Sequence, residues 1–351
     1  MTYIKRPGFK HPAAPRNALG LSRRDYEGVI STLCAGCGHD SVTAAIIEAC
    51  FELALPAHKV AKVSGIGCSS KTTNYFLNQS HGFNSVHGRM PSIATGANLA
   101  NRDLVYLGVS GDGDSASIGL GQFCHAIRRC LNMVYIVENN GTYGLTKGQF
   151  SATNDRASKG RKGKDNPYES IDLCALAIEL GAGFVARSFS GDKEQLVPLV
   201  KAAIAYRGFA LIDVISPCVT FNNHAASTKS YDYVRAHNEA LDRTDFVPHG
   251  ATITADYREG EGASVTLHDG SVMRLEKLAG DYDPTDPETA LTTIRRHRNA
   301  GAVATGMIYV DADERDLHDL LHTPQQPLNA VPQERLCPGD AALQKLNDSL
   351  R

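Results

Sequence analysis

The residues best suited to chemistry lie in one stretch, Gly111 to Gln149, which reads GDGDSASIGLGQFCHAIRRCLNMVYIVENNGTYGLTKGQ. Gly111-Asp112-Gly113 ends an apolar, strand-forming run from Leu104 to Ser110, and its two glycines permit a tight turn and close backbone approach. After a helical segment, Gly119 to Arg129, a second apolar run from Met133 to Val137 leads into Glu138-Asn139-Asn140-Gly141. Strand, helix and strand in a parallel sheet bring both strand ends to one edge, so Asp112 and Asn140 can face a single ion. A carboxylate, an amide oxygen and a backbone carbonyl are hard donors of the kind Mg²⁺ accepts while it also holds phosphate oxygens. A glycine turn and an Asx turn explain either piece alone. The two together at this spacing point to a cradle for a diphosphate and a metal.

Cysteines form the second pattern. Cys34-Ala35-Gly36-Cys37 precedes a helix that Asp40 or Ser41 can cap, with Val42, Ala45, Ile46, Ala49 and Leu53 on one face and Pro56 closing it. A helix N-terminus favours thiolates, which suits a redox disulfide or two metal ligands. The short strand Lys59 to Ser64 runs into Gly65-Ile66-Gly67-Cys68-Ser69-Ser70-Lys71, whose backbone N–H groups and hydroxyls could cradle a phosphate. His87 and Arg89, just before a helix that Pro91 can start and that runs to about Arg102, are further phosphate candidates, with a loop histidine and a surface ion pair as the plainer readings. A strand from Ala210 to Ser216 delivers Pro217-Cys218 to the same edge. Cys34, Cys37, Cys68 and Cys218 therefore gather at that edge, as four thiolates that suit a 4Fe-4S cluster or a structural Zn²⁺. Ligand number does not separate the two. Position favours an electron acceptor, because Cys68 sits inside the loop assigned to the diphosphate. Cys50, Cys124, Cys130 and Cys174 fall in helical patterns and read as small core residues, and Cys337 lies in a tail.

The elements that must position these groups follow from the rest of the chain. Helical segments at Ser170 to Leu180 and Asp192 to Tyr206 alternate with a strand at Phe184 to Phe189, which predicts an α/β fold with a parallel sheet. Residues 1–33 read as an arm, 34–228 as the site-bearing domain and 229–351 as a C-terminal extension. That extension holds short antiparallel strands with turns at Glu259-Gly260 and Asp269-Gly270, a helix near Pro287 to Arg298 and a strand from Ala302 to Val310. A chain of 351 residues with a formal charge of -2 has no global basic field to recruit nucleic acid. Ser158 to Lys164 carries four positive charges, read as a solvated loop or as a docking surface for an acidic electron carrier or a nucleotide-tailed substrate. The N-terminus lacks the apolar core of a signal peptide, and no window approaches the roughly 20 apolar residues of a membrane span, so a cytoplasmic protein without membrane contact is expected. Nine cysteines, an odd number, favour metal binding over a disulfide framework.

GDG, 25 intervening residues and NN resemble the signature of thiamine diphosphate enzymes. The resemblance implies Mg²⁺ ligation by Asp112, Asn140 and the backbone carbonyl of Thr142. CAGCGH, SGIGCSSK, HGR with ATG, GDGDS, ENNGTYGLTKGQ and SPCVTFNN, in this order over Leu33 to His224, further resemble the β subunit of 2-oxoacid:ferredoxin oxidoreductases. That likeness implies a thiamine-diphosphate-binding domain with helices on both faces of its sheet, and a 4Fe-4S cluster on Cys34, Cys37, Cys68 and Cys218. It also implies cofactor contacts at Ile66, Gly67, Cys68, Ser69, Gly113, Asp114, Gly144 and Leu145, with His87 beside the phosphates. Lys147 matches a lysine implicated in coenzyme A binding. The implied reaction is CoA-dependent oxidative decarboxylation of a 2-oxoacid, with electrons leaving one at a time to ferredoxin. The carboxylate that activates thiamine comes in this family from an α subunit, so activity is expected only with that partner. Lys71, directly after the Cys68 turn, could pair with a distal carboxylate and favour 2-oxoglutarate over pyruvate; a plain surface lysine is the alternative.

Overall fold

The computed structural model describes residues 13–158, 165–224, 227–241, 282–313 and 315–351, with the backbone strands 262–266 and 272–276. The 159–164 part of the basic run and both turns expected near 259 and 269 lie outside the described residues. Twelve strands occur among the described residues: β1 (Val60–Ser64), β2 (His81–Asn84), β3 (Val105–Gly111), β4 (Met133–Asn139), β5 (Thr142–Tyr143), β6 (Gln149–Phe150), β7 (Phe184–Phe189), β8 (Phe209–Ile215), β9 (Asn238–Ala240), β10 (Gly262–Thr266), β11 (Val272–Glu276) and β12 (Val303–Val310). Eight of them form one sheet in the order β2-β1-β3-β4-β8-β7-β12-β9. Every neighbouring pair is parallel except β12 with β7. The segment after 229 thus adds β9 and β12 to the same sheet, while β10 and β11 pair antiparallel as a separate two-stranded sheet.

Side chains alternate across this sheet because successive Cβ atoms point to opposite faces. Met133, Tyr135 and Val137 of β4, with Phe209 and Leu211 of β8, face one core. There they meet α2 (Met90–Ala100), α3 (Leu120–Arg128), α4 (Leu173–Glu179) and α6 (Pro287–Asn299) through residues such as Met90, Phe123, Leu173 and Ile294. Val134, Ile136, Ala210 and Ile212 face a second core, covered by α1 (Gly38–Glu52) and α5 (Lys193–Ala205) through Val42, Ile46, Leu196 and Val200. Both faces are therefore buried, as a mostly parallel sheet requires. Each large apolar side chain fully buried there contributes about 1.5–3 kcal/mol.

From β1 the chain runs outward to β2, then returns to β3 on the other side of β1. The loops leaving β1 and β3 diverge, and a crevice opens between them at the carboxyl edge. Two local readings change. Helix α1 begins at Gly38 with Cys37 as its N-cap, so neither Asp40 nor Ser41 caps it. After Asp112 the chain makes a wide π-type turn, Gly113–Ile118, before α3 starts at Leu120. Among the described residues no helix is long and apolar enough to cross a membrane.

Candidate functional site

The crevice gathers the motif residues. Ile66, Gly67, Cys68 and Ser69 come from the loop after β1, His87 from the loop before α2, and Asp112, Gly113 and Asp114 from the turn after β3. Asn140, Thr142, Gly144 and Leu145 come from the segment after β4, and His39 from α1. Lys71 and Lys147 do not line this pocket. Lys71 borders a separate groove with Lys62, Ser70 and Asn78, and Lys147 sits at φ +79 in the turn between β5 and β6.

Asp112 is 1% exposed, and burial pushes its carboxyl above the ordinary value. Hydrogen bonds oppose that push: Oδ1 accepts from the Asn140 N–H at 3.2 Å, and Oδ2 accepts from the hydroxyls of Ser151 and Thr153, the latter at 2.6 Å. The Asn140 side-chain oxygen accepts from the Thr142 N–H at 3.0 Å, and the Asn140 carbonyl accepts from Asn222 Nδ2 at 2.7 Å. A cation beside Asp112 would offset the cost of burying its charge. The hard oxygen donors on Asp112, Asn140 and Thr142 suit Mg²⁺. Ser69 supplies a second sign of fit, since its buried hydroxyl has no hydrogen-bond partner among the described residues.

Asp114 lines the crevice, and its carboxylate also organises the loops around it. Its carboxylate accepts from the Ile66 N–H at 3.2 Å, the Gly88 N–H at 2.7 Å, the Ser110 hydroxyl at 2.6 Å and His87 Nδ1. These bonds tie the loops after β1, before α2 and after β3 to one buried group. Among the described residues, with Nδ1 held by Asp114, Nε2 is the ring nitrogen of His87 left to meet a ligand. The Tyr143 ring stands edge-on to His87 at 6.2 Å and donates its hydroxyl to the Gly113 carbonyl at 3.0 Å.

Of the four cysteines, Cys68 lines the crevice and shares the neighbourhood of Gly144 with Cys218. A Cβ on Gly144 would lie 3.5 Å from Cys68 Sγ and 3.7 Å from Cys218 Sγ. Cys37 lies close enough to Cys68 and Cys218, and Cys68 to Cys34, for a thiolate at one to disfavour a thiolate at its neighbour. The Gly38 N–H donates to the Pro217 carbonyl at 3.3 Å, docking the CxxC turn on the loop after β8. Only glycine fits at 38, where a Cβ would stand 2.6 Å from Ser216 Oγ and 2.8 Å from Ser190 Oγ.

The expectation of thiolates at the helix N-terminus is not met by the bare protein. Burial pushes the Cys37 thiol up to about 12 and raises Cys68 as well, outweighing the helix end. A bound metal removes that penalty by coordinating the sulfur. Among the described residues no three His, Cys, Asp or Glu side chains form a group able to hold one ion. Cys50 and Cys174 are buried in the cores as expected, whereas Cys130 lies past the end of α3 at φ +49.

Sequence reasoning overlooked the floor of the site. Glu138 is fully buried, and burial raises its carboxyl well above the usual range; Thr72 donates to it at 3.0 Å. His39 Nδ1 lies 3.7 Å from Glu138 and 2.5 Å from the Ser216 hydroxyl, and burial pushes its ring down to about 4. Both groups are thereby favoured neutral. A glutamate closing an otherwise apolar strand was a usable signal for Glu138. Ser151 and Thr153 offered none, because they reach Asp112 only when the β5–β6 hairpin folds back.

Residues 65–214 match the family model described as thiamine pyrophosphate enzyme, C-terminal TPP binding domain. The 2-oxoglutarate synthase subunit KorB of Methanocaldococcus jannaschii is 40% identical over 192 residues, 54% of this chain and 69% of that protein. The chain belongs to the β subunits of the 2-oxoacid:ferredoxin oxidoreductases. A family member from a Sulfolobus species, named 2-oxoacid:ferredoxin oxidoreductase subunit beta, is 44% identical over 191 residues, 54% of this chain. The match spans 63% of that relative, less than two thirds of its length. A solved 2-oxoglutarate:ferredoxin oxidoreductase from Magnetococcus marinus, with 2-oxoglutarate, coenzyme A and succinyl-CoA bound, superposes with a TM-score of 0.70 at 27% identity. That likeness covers 92% of this chain and 97% of the other.

Proposed function

We propose that this β subunit serves an enzyme that oxidatively decarboxylates 2-oxoglutarate to succinyl-CoA and passes the electrons through a 4Fe-4S cluster to ferredoxin. The observation that carries the reading is the double position of the Cys68 loop: Ile66 to Ser69 line the crevice, and Cys68 Sγ stands with Cys218 Sγ at Gly144. Thiamine diphosphate, when bound, supplies the electron sink that lets a 2-oxoacid lose CO₂. Asp112, Asn140 and the Thr142 carbonyl would hold its Mg²⁺, and Ser69, Gly67 and His87 would meet its phosphates. Cys34, Cys37, Cys68 and Cys218 would ligate the cluster close to that cofactor. Asp114 keeps the surrounding loops in register, and the neutral Glu138 and His39 keep uncompensated charge out of the floor.

The substrate reading draws on the relatives named for 2-oxoglutarate and on Lys71, which borders a separate groove but lies close enough to bear on Cys68. Val86, Ile93, Ile118 and Leu145 are exposed apolar side chains, Val86 at 75% and Leu145 at 54%; they support docking of an α subunit over the crevice. The test is an anaerobic assay of the purified complex that follows viologen reduction. CoA-dependent reduction with 2-oxoglutarate and little with pyruvate is expected. Equal rates with pyruvate would remove the substrate assignment. No reduction by either, in a complex holding iron and thiamine, would overturn the redox reading.

A further inference from the structure

Asp112 is gripped from behind by groups that none of the roles above uses. Thr153 Oγ1, 2.6 Å from Asp112 Oδ2, is also 2.9 Å from Asn139 Oδ1. Asn139 Nδ2 donates to Asp213 Oδ1 at 2.9 Å, and Arg187 Nε donates to Asp213 Oδ2 at 3.1 Å. The other arm of Arg187 donates to Asp172 Oδ1 at 2.7 Å. Thr153 is 1% exposed, Asn139 4% and Asp213 2%. The chain of contacts therefore crosses the buried sheet from the end of β4 through β8 to β7.

Its direction follows from donor and acceptor chemistry. An ionised Asp213 facing the Arg187 guanidinium only accepts hydrogen bonds, so the Asn139 amide must turn its nitrogen toward Asp213 and its oxygen toward Thr153. The Thr153 hydroxyl has one hydrogen for three neighbouring oxygens, Asn139 Oδ1, Asp112 Oδ2 and Ser151 Oγ, the last at 3.1 Å. A carboxylate binds that hydrogen more strongly than an amide does, and a cation on Asp112 would weaken the claim. The hydrogen serves one acceptor at a time: turned to Asp112 it holds the carboxylate in place for an incoming cation, and turned to Asn139 it leaves the carboxylate oxygen free to bind that cation. Ion pairing at Arg187 fixes Asn139.

We propose that Thr153, Asn139 and Asp213, anchored by Arg187, are positioning residues that orient the Asp112 carboxylate for the cation of the diphosphate cofactor. This rests on the reading of Asp112 as a Mg²⁺ ligand. The experiment uses the full chain in the complex with which it purifies, stripped of cofactor. Thiamine diphosphate retention is measured by equilibrium dialysis against rising Mg²⁺. Thr153→Val should raise the half-saturating Mg²⁺ by about 10- to 100-fold, the usual cost of losing an outer support of a metal ligand. Thr153→Ser, which restores the hydroxyl, should return it to within about threefold. Asp213→Asn, which frees the Asn139 amide to reverse, should shift it in the same direction as Thr153→Val, and it carries the test if Thr153→Val does not fold. The melting midpoint of the cofactor-free Thr153→Val complex should fall only modestly, as the loss of one buried hydrogen bond requires, and Thr153→Ser should restore it. If Thr153→Val and Asp213→Asn leave the Mg²⁺ requirement unchanged while Asp112→Asn abolishes retention, the positioning role is wrong and the ligand reading stands. Retention that survives Asp112→Asn at unaltered Mg²⁺ sinks both. A loss in Thr153→Val that Thr153→Ser does not reverse, accompanied by a lower cofactor-free midpoint that Thr153→Ser does not restore either, makes the role structural only and overturns the proposal.

Discussion

Gly113→Ala isolates one contact that shapes the crevice. A Cβ at this position would stand 2.6 Å from Tyr143 Cε1, 2.8 Å from Cζ and 2.9 Å from Cδ1. Ordinary contact begins near 3.4 Å, so the rigid ring must retreat by about 0.8 Å, an overpacking of the kind that costs about 1–3 kcal/mol. Retreat also strains the bond from the Tyr143 hydroxyl to the Gly113 carbonyl, a loss of about 1 kcal/mol. Gly113→Ala should therefore destabilise the chain by about 2–4 kcal/mol and weaken thiamine diphosphate retention, since both residues line the crevice. The assay is a double-mutant cycle with Tyr143→Ala, read by urea unfolding and by cofactor dialysis. With the ring gone, the added methyl has room and its cost should fall below about 1 kcal/mol, giving a coupling of about 2 kcal/mol. An equal cost for Gly113→Ala in both backgrounds would refute the steric argument.

Three further outcomes are expected. Lys71→Ala should raise the KM for 2-oxoglutarate more than that for pyruvate in steady-state assays of the complex, and equal effects would return Lys71 to an ordinary surface role. Cys218→Ser should lower iron content and visible absorbance of the anaerobically purified complex while thiamine diphosphate still binds; unchanged iron would remove Cys218 from the ligand set. Lys62, buried and donating to the carbonyls of Phe76 and Leu77 at 2.7 and 3.0 Å, is pushed down to about 8 by burial. Below that pH both folded and unfolded chains hold its proton, and the folded state bears the full desolvation cost. Between 8 and 10.5 the folded chain sheds the proton while the unfolded chain keeps it, so this group makes stability rise with pH. Lys62→Met should remove a rise of at most on the order of 3 kcal/mol from denaturation curves taken across that window, and parallel curves for the two proteins would contradict the burial effect.

The motifs located the site because they sit where local rules and topology agree. A strand ending in Gly-Asp-Gly and another ending in Asn-Asn must share an edge if the sheet is parallel, and the sheet is parallel there. Alternation in β4 and β8, whose residues face two cores in turn, made the α/β class legible from apolar runs alone. Among the cysteine turns, the CxxC turn docks on the loop after β8, and Cys68 and Cys218 both approach Gly144.

Local sequence could not state what burial and fold-back decide. The CxxC sits at a helix N-terminus as read, yet Cys37 is a neutral thiol in the bare protein because desolvation outweighs the helix end. Asp114 reads as one more polar motif residue, and only the packed loops show four donors converging on it. Lys71 follows the Cys68 turn directly but borders another groove, since the chain bends into a 3₁₀ turn over Ser69–Asn74.

By itself the sequence determined the sheet type, the edge that carries the chemistry and the residue types available there, because periodicity and turn composition act over a few residues. Tertiary structure alone decided which groups support the ligands. Thr153, Asn139, Asp213 and Arg187 are far apart in the chain, and they form one line only because β4, β8 and β7 lie side by side in a buried sheet, where each polar atom must find a partner.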